Sequence, residues 1–268
     1  MTDPEQPGPV AVVTGAARGI GAALAQRLAG DGWDLVLGDV VGPDAVAGLT
    51  YPLATAEDLE RTAARCRERG AAVTAQPCDV RDEQQVSDLV SAAGERLRAA
   101  VAVAGILGAH GPAWELSHED LERDLSVNLH GVANLARAAV PALLAAPEPA
   151  RGRFVAVVSA AGERGLPLLA SYTAAKHAAL GFVRSLAIDL APIGITANAV
   201  LPGSTRTRLL GRTAEVYDLS SPEDFAANQR IGRLLEPDEV AAAVAWLCSD
   251  GASGTTGAAL AVDGGFAG

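Results

Sequence analysis

Short apolar, β-branched segments recur along this chain, and amphipathic segments of helical length lie between them. The first apolar segment is 10–14 (VAVVT), and the others are 34–38, 71–75, 99–104, 153–158, 195–200 and 258–262. Strands that alternate with helices form right-handed crossovers, which give a parallel sheet covered by helices on both faces. The sequence therefore predicts an α/β fold with one doubly wound parallel sheet of about seven strands. A ligand crevice is expected at the carboxyl ends of those strands.

We expect residues 1–268 to form a single domain, because no linker rich in Gly, Ser or Pro divides the chain and no internal repeat is found. Two segments are longer than the loops that usually join strands and helices, namely 40–57 and 204–235. We interpret 40–57 as a functional insertion. In 204–235, apolar side chains are scattered among charged ones, which is typical of a mobile lid over a pocket.

The charge balance argues against several classes of partner. The chain has 32 acidic and 21 basic residues, a net charge of −11 and only 4% aromatic residues, so a nucleic acid or an anionic membrane is not an expected partner. The amino terminus (MTDPEQPGP) is acidic and Pro-rich, and no apolar run is long enough to span a bilayer. We therefore expect neither a signal peptide nor a membrane span.

The cysteines and histidines predict no metal site. Three cysteines are far apart in the sequence, which fits reduced thiols in a cytoplasmic protein. The four histidines show no ligand spacing with acids or cysteines. Hydrolase and phosphotransferase chemistry also lack their motifs, since there is no GxSxG elbow and no Walker lysine.

A glycine-rich turn stands where the first predicted strand meets a helix. In Thr14-Gly15-Ala16-Ala17-Arg18-Gly19-Ile20-Gly21, backbone N–H groups and the positive end of a helix would converge and hold a pyrophosphate. Gly15 permits the sharp turn, Gly19 permits close approach of a ligand, and Gly21 lets the helix pack against the strand. The alternative is a tight turn without a ligand. With a ligand, the pattern is that of a Rossmann-type fold.

Asp39 follows the second predicted strand, 18 residues after Gly21, near the spacing at which an acid accepts a hydrogen bond from the ribose 2′-hydroxyl of a dinucleotide. A 2′-phosphate about 4 Å away would be repelled by roughly 4 kcal/mol per unit charge at an effective dielectric constant of about 20. We therefore predict NAD as the cofactor in preference to NADP. Asp79 is expected either to accept from the adenine amino group or to cap a helix over 81–94.

Tyr172 and Lys176 are four residues apart in an Ala-rich helical segment, which places them on one helical face. Lys176 is the only lysine of the chain, whereas the other 20 basic residues are arginines. A neighbouring ammonium would lower the pKa of the phenol from about 10 toward neutrality, and Ser159 at the end of the fifth strand could orient a substrate oxygen. A solvated surface pair is the alternative interpretation.

Asn128 is a poor helix former inside an otherwise apolar helical segment (LSVNLHGV). It is either an amide whose hydrogen bonds are satisfied in the core, or a group that holds a water linking Lys176 to solvent.

These motifs together resemble the short-chain dehydrogenase/reductase family, from about Val10 to Gly265. TGAARGIG at 14–21 matches the family's TGxxxGxG, Tyr172 to Lys176 its YxxxK, and Pro202-Gly203 with Thr207 its PGxxxT. Ala102-Val103-Ala104-Gly105 replaces the usual NNAG, which keeps the glycine but loses the asparagine. The resemblance implies four catalytic residues: Asn128, Ser159, Tyr172 and Lys176. The residues expected to bind the cofactor are Gly15, Arg18, Gly19, Ile20, Gly21, Asp39, Asp79, Val80, Ala104, Gly105, Tyr172, Lys176, Pro202, Gly203, Thr205 and Thr207.

Within that family, two segments resemble the mycofactocin-associated subgroup: GLTYPLATAEDLERT at 48–62 and AVPALLAAPEPARGRFVAVVSAAG at 139–162. That resemblance implies NAD held so tightly that it does not exchange, with mycofactocin as electron carrier. Residues 40–57 would then form a flap over the adenosine half of the cofactor.

The resemblance implies that Tyr172 is the general base in oxidation of an alcohol, supported by Lys176, Ser159 and Asn128. Apolar residues in nearby loops favour a small hydrophobic secondary alcohol or its ketone as substrate: Leu166, Leu168, Leu169, Leu209 and Leu210. Two alternatives are an NADPH-dependent ketoreductase and a non-catalytic nucleotide-sensing protein. Family members commonly form tetramers, so a homotetramer with interfaces in 114–145 and 171–191 is expected.

Overall fold

The computed structural model describes residues 8–42 and 45–266. Its single sheet has seven strands: β1 (Val10–Thr14), β2 (Asp34–Asp39), β3 (Val73–Pro77), β4 (Leu97–Ala102), β5 (Arg153–Val157), β6 (Thr196–Pro202) and β7 (Ala259–Val262). All neighbouring strands pair in parallel, in the order β3-β2-β1-β4-β5-β6-β7. The predicted doubly wound sheet is confirmed. Because the order reverses between β1 and β4, the crevice is expected beyond these two strands.

The described residues form eight α-helices: α1 (Gly19–Gly30), α2 (Ala56–Arg67), α3 (Glu83–Ser91), α4 (His118–Asn128), α5 (His130–Ala145), α6 (Ala170–Leu190), α7 (Arg208–Val216) and α8 (Pro237–Cys248). Successive residues of β1 face opposite sides of the sheet, as a strand requires. Val10 and Val12 belong to a core cluster formed with α3, α5 and α6. Ala11 and Val13 belong to a second cluster, formed with α1, α2 and α8. Both faces of the sheet are therefore covered by helices.

The third strand begins two residues later, and the fourth two residues earlier, than the hydrophobic pattern predicted. β3 is Val73–Pro77 and not 71–75, and β4 is Leu97–Ala102 and not 99–104. Hydrogen bonding to an inner strand sets these boundaries, since Leu35 pairs with Val73 and Val10 pairs with Leu97. The pattern of apolar residues alone does not contain that register.

A helix begins within the predicted bounds of each long segment. The insertion predicted at 40–57 ends at Thr55, because Thr55 caps α2 and forms a capping box with Asp58. Its residues 43 and 44 lie outside the described part. The segment 204–235 contains α7 and a 3₁₀ helix over Pro222–Asn228. Its predicted role as a mobile lid stays a prediction.

None of the described helices combines the length and apolarity needed to cross a membrane. Within residues 8–42 and 45–266, no group of three or more His, Cys, Asp or Glu side chains is arranged to hold a metal ion. Cys66, Cys78 and Cys248 are free and buried.

Candidate active site

A cavity of about 770 Å³ opens at the carboxyl ends of the central strands, where the reversal of strand order predicts it. Every residue predicted to bind a cofactor lines it: Gly15, Arg18, Gly19, Ile20, Gly21, Asp39, Asp79, Val80, Ala104, Gly105, Tyr172, Lys176, Pro202, Gly203, Thr205 and Thr207. Ser159 also lines it. Asn128 is not in the wall and lies behind it, fully buried.

The three glycines of the turn have different reasons to be glycine. Gly15 has φ +69°, and a Cβ there would lie 2.6 Å from the backbone N of Ala104. At Gly21 a Cβ would lie 2.0 Å from the carbonyl oxygen of Gly15. Packing alone therefore requires these two glycines. Gly19 begins α1, has φ +55° and meets only the Thr207 side chain, at 3.4 Å, so its backbone remains accessible to an anion.

Two arginines add positive charge beside this helix start. Nη2 of Arg18 donates to the carbonyl of Pro52 at 3.1 Å, while its buried Nη1 has no hydrogen-bond partner among the described residues. Burial lowers the pKa of Arg18, and the charge of Arg208 lowers it further. A buried, unpartnered donor and two mutually repelling cations fit a pyrophosphate. Sequence reasoning missed Arg208, which precedes Leu209 in the expected lid and also lines the cavity.

Asp39 ends β2 and accepts a hydrogen bond from the backbone N of Ala17 at 2.8 Å. Burial raises its pKa to about 6, although this hydrogen bond and the charge of Arg18 act in the opposite direction. Because the turn fixes the carboxylate inside the cavity wall, it can accept from a ribose hydroxyl.

Asp79 does not cap a helix, so that alternative is wrong. α3 begins at Glu83, and its N-cap is Asp82, whose side chain accepts from Gln84 N and Gln85 N. Asp79 instead forms an ion pair with Arg81 at 2.5 Å. Its predicted contact with adenine stays a prediction.

Tyr172 and Lys176 lie on one face of α6 and are buried, with 8% and 4% of their surfaces exposed, so the solvated surface pair is wrong. Nζ of Lys176 is 5.6 Å from the centroid of the Tyr172 ring. Burial raises the pKa of Tyr172 to about 12 and lowers the pKa of Lys176 to about 8. The sequence predicted that Lys176 would lower the pKa of Tyr172. In the structure that pKa is raised, because removal of the phenol from water has the larger effect.

Ser159 follows β5 and points its hydroxyl into the same corner of the cavity. Its Oγ accepts from the backbone N of Ala161 at 3.1 Å. Ser159 lowers the pKa of the Tyr172 phenol and partly offsets the effect of burial. Both side chains line the same cavity.

Asn128 is an amide satisfied by the backbone. Nδ2 donates to the carbonyls of Ile106 and Asp124, each at 3.0 Å, and Oδ1 accepts from Ile106 N at 3.2 Å. A Cβ at Gly105 would lie 3.0 Å from Asn128 Oδ1 and 3.3 Å from Lys176 Nζ. The glycine kept from the family's NNAG therefore lies between the amide and the ammonium.

The insertion forms part of the cavity wall through Val46, Tyr51, Leu53 and Ala54. The Tyr51 hydroxyl accepts from Leu107 N at 3.0 Å. Arg81 and Arg123 donate to the carbonyls of Ala45 and Ala47, at 2.8 and 3.0 Å. The sequence marked the segment as functional by its length, but it did not single out Tyr51.

The other end of the cavity is apolar. Of the five leucines predicted to meet a substrate, four line it: Leu166, Leu169, Leu209 and Leu210. Leu168 is not part of the lining; it is 40% exposed, with φ +59°, so its inclusion was wrong. Aromatic residues from distant parts of the chain complete this end, namely Tyr217, Phe225 and Phe266.

Comparison with known proteins agrees with this geometry. A family model described as enoyl-(acyl carrier protein) reductase matches residues 15–267. The chain is 40% identical to cis-4-hydroxycyclohexanecarboxylate dehydrogenase of Sinomonas cyclohexanicum over 96% of each chain. This chain belongs to the short-chain dehydrogenase/reductase family.

Two more similarities place this short-chain dehydrogenase/reductase among its relatives. An uncharacterized NAD-dependent oxidoreductase of Mycobacterium tuberculosis is 37% identical, with 96% of this chain and 94% of the relative covered. The crystal structure of carveol dehydrogenase from Mycobacterium avium in complex with NAD superposes with a TM-score of 0.90. It shares 32% sequence identity and covers 96% of this chain and 97% of its own. The predicted family and fold are confirmed.

Proposed function

We propose that this protein is an NAD-dependent dehydrogenase that interconverts a hydrophobic cyclic secondary alcohol and its ketone by hydride transfer. The observation that carries the proposal is one cavity in which Ser159, Tyr172 and Lys176 meet the glycine turn and Asp39. Relatives named as NAD-dependent or as crystallised with NAD confirm two predictions for this family member, that it is an oxidoreductase and that NAD is its cofactor.

The protein's own residues can perform the proton chemistry. NAD held by the glycine turn and Asp39 would supply the hydride acceptor. Tyr172 takes the hydroxyl proton, and the Ser159 hydroxyl donates a hydrogen bond to the substrate oxygen as it becomes a carbonyl. Lys176 Nζ donates to the Val157 carbonyl at 3.4 Å, which directs the ammonium toward the cavity beside the phenol. Asn128 lies behind Lys176 on the far side of Gly105, where it would complete the proposed proton relay.

The substrate class follows from the apolar end of the cavity. Leucine and aromatic side chains stabilise a bound hydrocarbon ring by removing its surface from water, at about 25 cal/mol per Å². Two of the similar proteins are named for cyclic alcohols, carveol and a hydroxycyclohexanecarboxylate. Both observations favour a six-membered ring that carries a secondary hydroxyl.

We further propose that NAD is retained between turnovers beneath the insertion, and that mycofactocin re-oxidises it. The support is the sequence resemblance at 48–62 and the contacts that hold this segment against Arg18, Arg81, Arg123 and Leu107. Dissociation of NAD would require several of these hydrogen bonds to break together. The predicted homotetramer and cytoplasmic location stay predictions.

Two measurements test these proposals. The first follows formation of NADH absorbance with a panel of cyclic and linear alcohols, for the wild type and Y172F. Activity with cyclic secondary alcohols that Y172F loses supports the enzyme; an inactive wild type would favour the nucleotide-sensing alternative. The second unfolds protein purified by gel filtration and assays the released NAD. Protein that carries no NAD after gel filtration would contradict retention.

A further inference from the structure

Behind the candidate active site lies a buried carboxylate, and the proposed mechanism does not use this group. Asp124 lies on α4, one turn before Asn128, and none of its surface is exposed. α4 packs against α6, the helix that carries Tyr172 and Lys176. A carboxylate within such a helix contact costs free energy unless its oxygens are hydrogen-bonded, whereas an apolar side chain would not carry this cost.

Both oxygens of Asp124 are hydrogen-bonded, and their partners come from two different elements. Oδ2 accepts from the Ser171 hydroxyl at 2.5 Å, and Ser171 directly precedes Tyr172. Oδ1 accepts from Gly108 N at 2.8 Å, in the segment that joins β4 to α4. A Cβ at Gly108 would lie 3.0 Å from this oxygen, so the segment approaches the carboxylate closely. The side chain therefore links the start of α6 to the wall that follows β4.

The charge of Asp124 also acts on the catalytic pair. Lys176 is buried, and Asp124 is the one charged group of the described residues that raises its pKa, against the larger effect of burial. The same charge raises the pKa values of Tyr172 and Tyr51. Burial raises the pKa of Asp124. The Ser171 hydroxyl of α6, the backbone of Gly108 and Ala109, and the charge of Arg123 on its own helix lower this pKa.

We propose that Asp124 is a positioning residue, whose carboxylate anchors the start of α6 and provides the negative charge that stabilises the Lys176 ammonium. The proposal rests on the proposed function, because it assigns a support for the residues used there. It gives Asp124 no contact with the substrate.

Direct titration of Lys176 tests the charge, because Lys176 is the only lysine of the chain. Lysine labelled with ¹³C at Cε gives one side-chain signal, which is followed against pH in the purified NAD-containing protein. We expect D124N to lower the Lys176 pKa by about one pH unit. E122Q, which removes a half-exposed carboxylate from the same helix, should leave it unchanged. Equal titration curves for D124N and the wild type would overturn the proposal.

The pH profile of turnover gives a second measure. A negative charge raises both pKa values of the pair, so D124N should move both limbs of the kcat profile to lower pH. A purely structural role would reduce kcat at every pH and leave the limbs in place, which would contradict the proposal. If the wild type is inactive with every alcohol but Lys176 shifts in D124N, the proposed function is wrong and the role of Asp124 in stabilising the ammonium stands.

S171A separately tests whether the hydrogen bond from Ser171 to Asp124 anchors the start of α6. It also serves as the test if D124N does not fold. It keeps the carboxylate and removes one hydrogen bond, so kcat should fall about tenfold with little change in KM, while the Lys176 pKa stays near its wild-type value. Wild-type kcat in S171A would overturn the anchoring role.

Discussion

At the catalytic end of the cavity, Tyr172 and Lys176 project from one turn of a 21-residue helix, and both are less than a tenth exposed. Along another part of the cavity wall, which we call the Asp39 end, the described insertion residues 45–55 contain neither helix nor strand. They accept hydrogen bonds from the backbone N of Leu107 and from the side chains of Arg18, Arg81 and Arg123. Regular structure holds Tyr172 and Lys176, the proposed reacting groups, whereas the proposed cover of the cofactor is an irregular segment.

The difference separates two tasks. Chemistry needs atoms held within a fraction of an ångström, which a long packed helix provides. Retention of a cofactor needs a cover that closes over it, and several separate hydrogen bonds can hold such a cover. Changes at the catalytic end should therefore affect turnover, and changes at the Asp39 end should affect which dinucleotide is held and for how long.

The largest expected effect is that of Y172F, which removes the proton acceptor at the catalytic end. General acid–base catalysis contributes about 10² to 10⁴-fold, so kcat should fall by roughly 10³-fold. The amount of NAD that copurifies should not change, because α6 and the Asp39 end remain intact. Turnover near the wild-type rate would remove Tyr172 from the mechanism, and loss of bound NAD would break the separation of the two ends.

D39S should act at the other end, on cofactor choice. The carboxylate repels a 2′-phosphate by about 4 kcal/mol at 4 Å, so preference for NAD over NADP should fall by roughly 10²- to 10³-fold. The measurement is to refold the protein in an equimolar NAD and NADP mixture and quantify the retained dinucleotide by mass spectrometry. D189N, which neutralises an exposed carboxylate of α6, is the control. Unchanged preference in D39S would exclude Asp39 as the selecting residue.

The same preference should depend on pH in the wild type. Burial raises the pKa of Asp39 to about 6, so the carboxylate is ionised above that pH and becomes neutral below it. Discrimination against NADP should therefore weaken as the pH falls through about 6, and D39S should show no such change. The ratio of retained NAD to NADP after refolding, measured between pH 5 and 8, checks this. A ratio that is independent of pH in the wild type would contradict it.

R208A removes the positive charge at the start of α7, which acts on Arg18 beside the glycine turn. Loss of one charge-assisted hydrogen bond to a phosphate costs about 1.5 to 3 kcal/mol, so NAD should dissociate about 10- to 100-fold faster. R230A, which removes an exposed arginine outside the cavity lining, is the control. Unaltered NAD release in R208A would mean that Arg208 does not contact the pyrophosphate.

The smallest effect is expected for Y51F in the insertion. The phenylalanine keeps the packing of the ring and removes the acceptor for Leu107 N, which costs about 0.5 to 1.5 kcal/mol. NAD release should accelerate two- to tenfold, with kcat close to that of the wild type. A larger loss of kcat than of NAD retention would show that the insertion serves the catalytic end.

Local sequence predicted much of this site. The glycine turn, the acid after β2 and the spacing of Tyr172 and Lys176 each depend on neighbouring residues, and all line the cavity. Residues brought together from distant positions were missed: Tyr51, Arg208 and Phe266 line the same cavity, although no local pattern marks them. Leu168 shows the reverse error, since its loop conformation turns the side chain outward.

The sequence by itself determined the alternation of strands and helices and the motifs at the strand ends, because hydrophobic periodicity and turn geometry are local properties. The tertiary structure decided which ionisable side chains are buried, and burial has the largest effect on the pKa values of Tyr172 and Lys176. Burial raises the pKa of Tyr172, the opposite of what the spacing of the pair suggested, and it lowers the pKa of Lys176. It also places Asp124 against Ser171, 47 residues away, an interaction that exists only because α4 packs on α6.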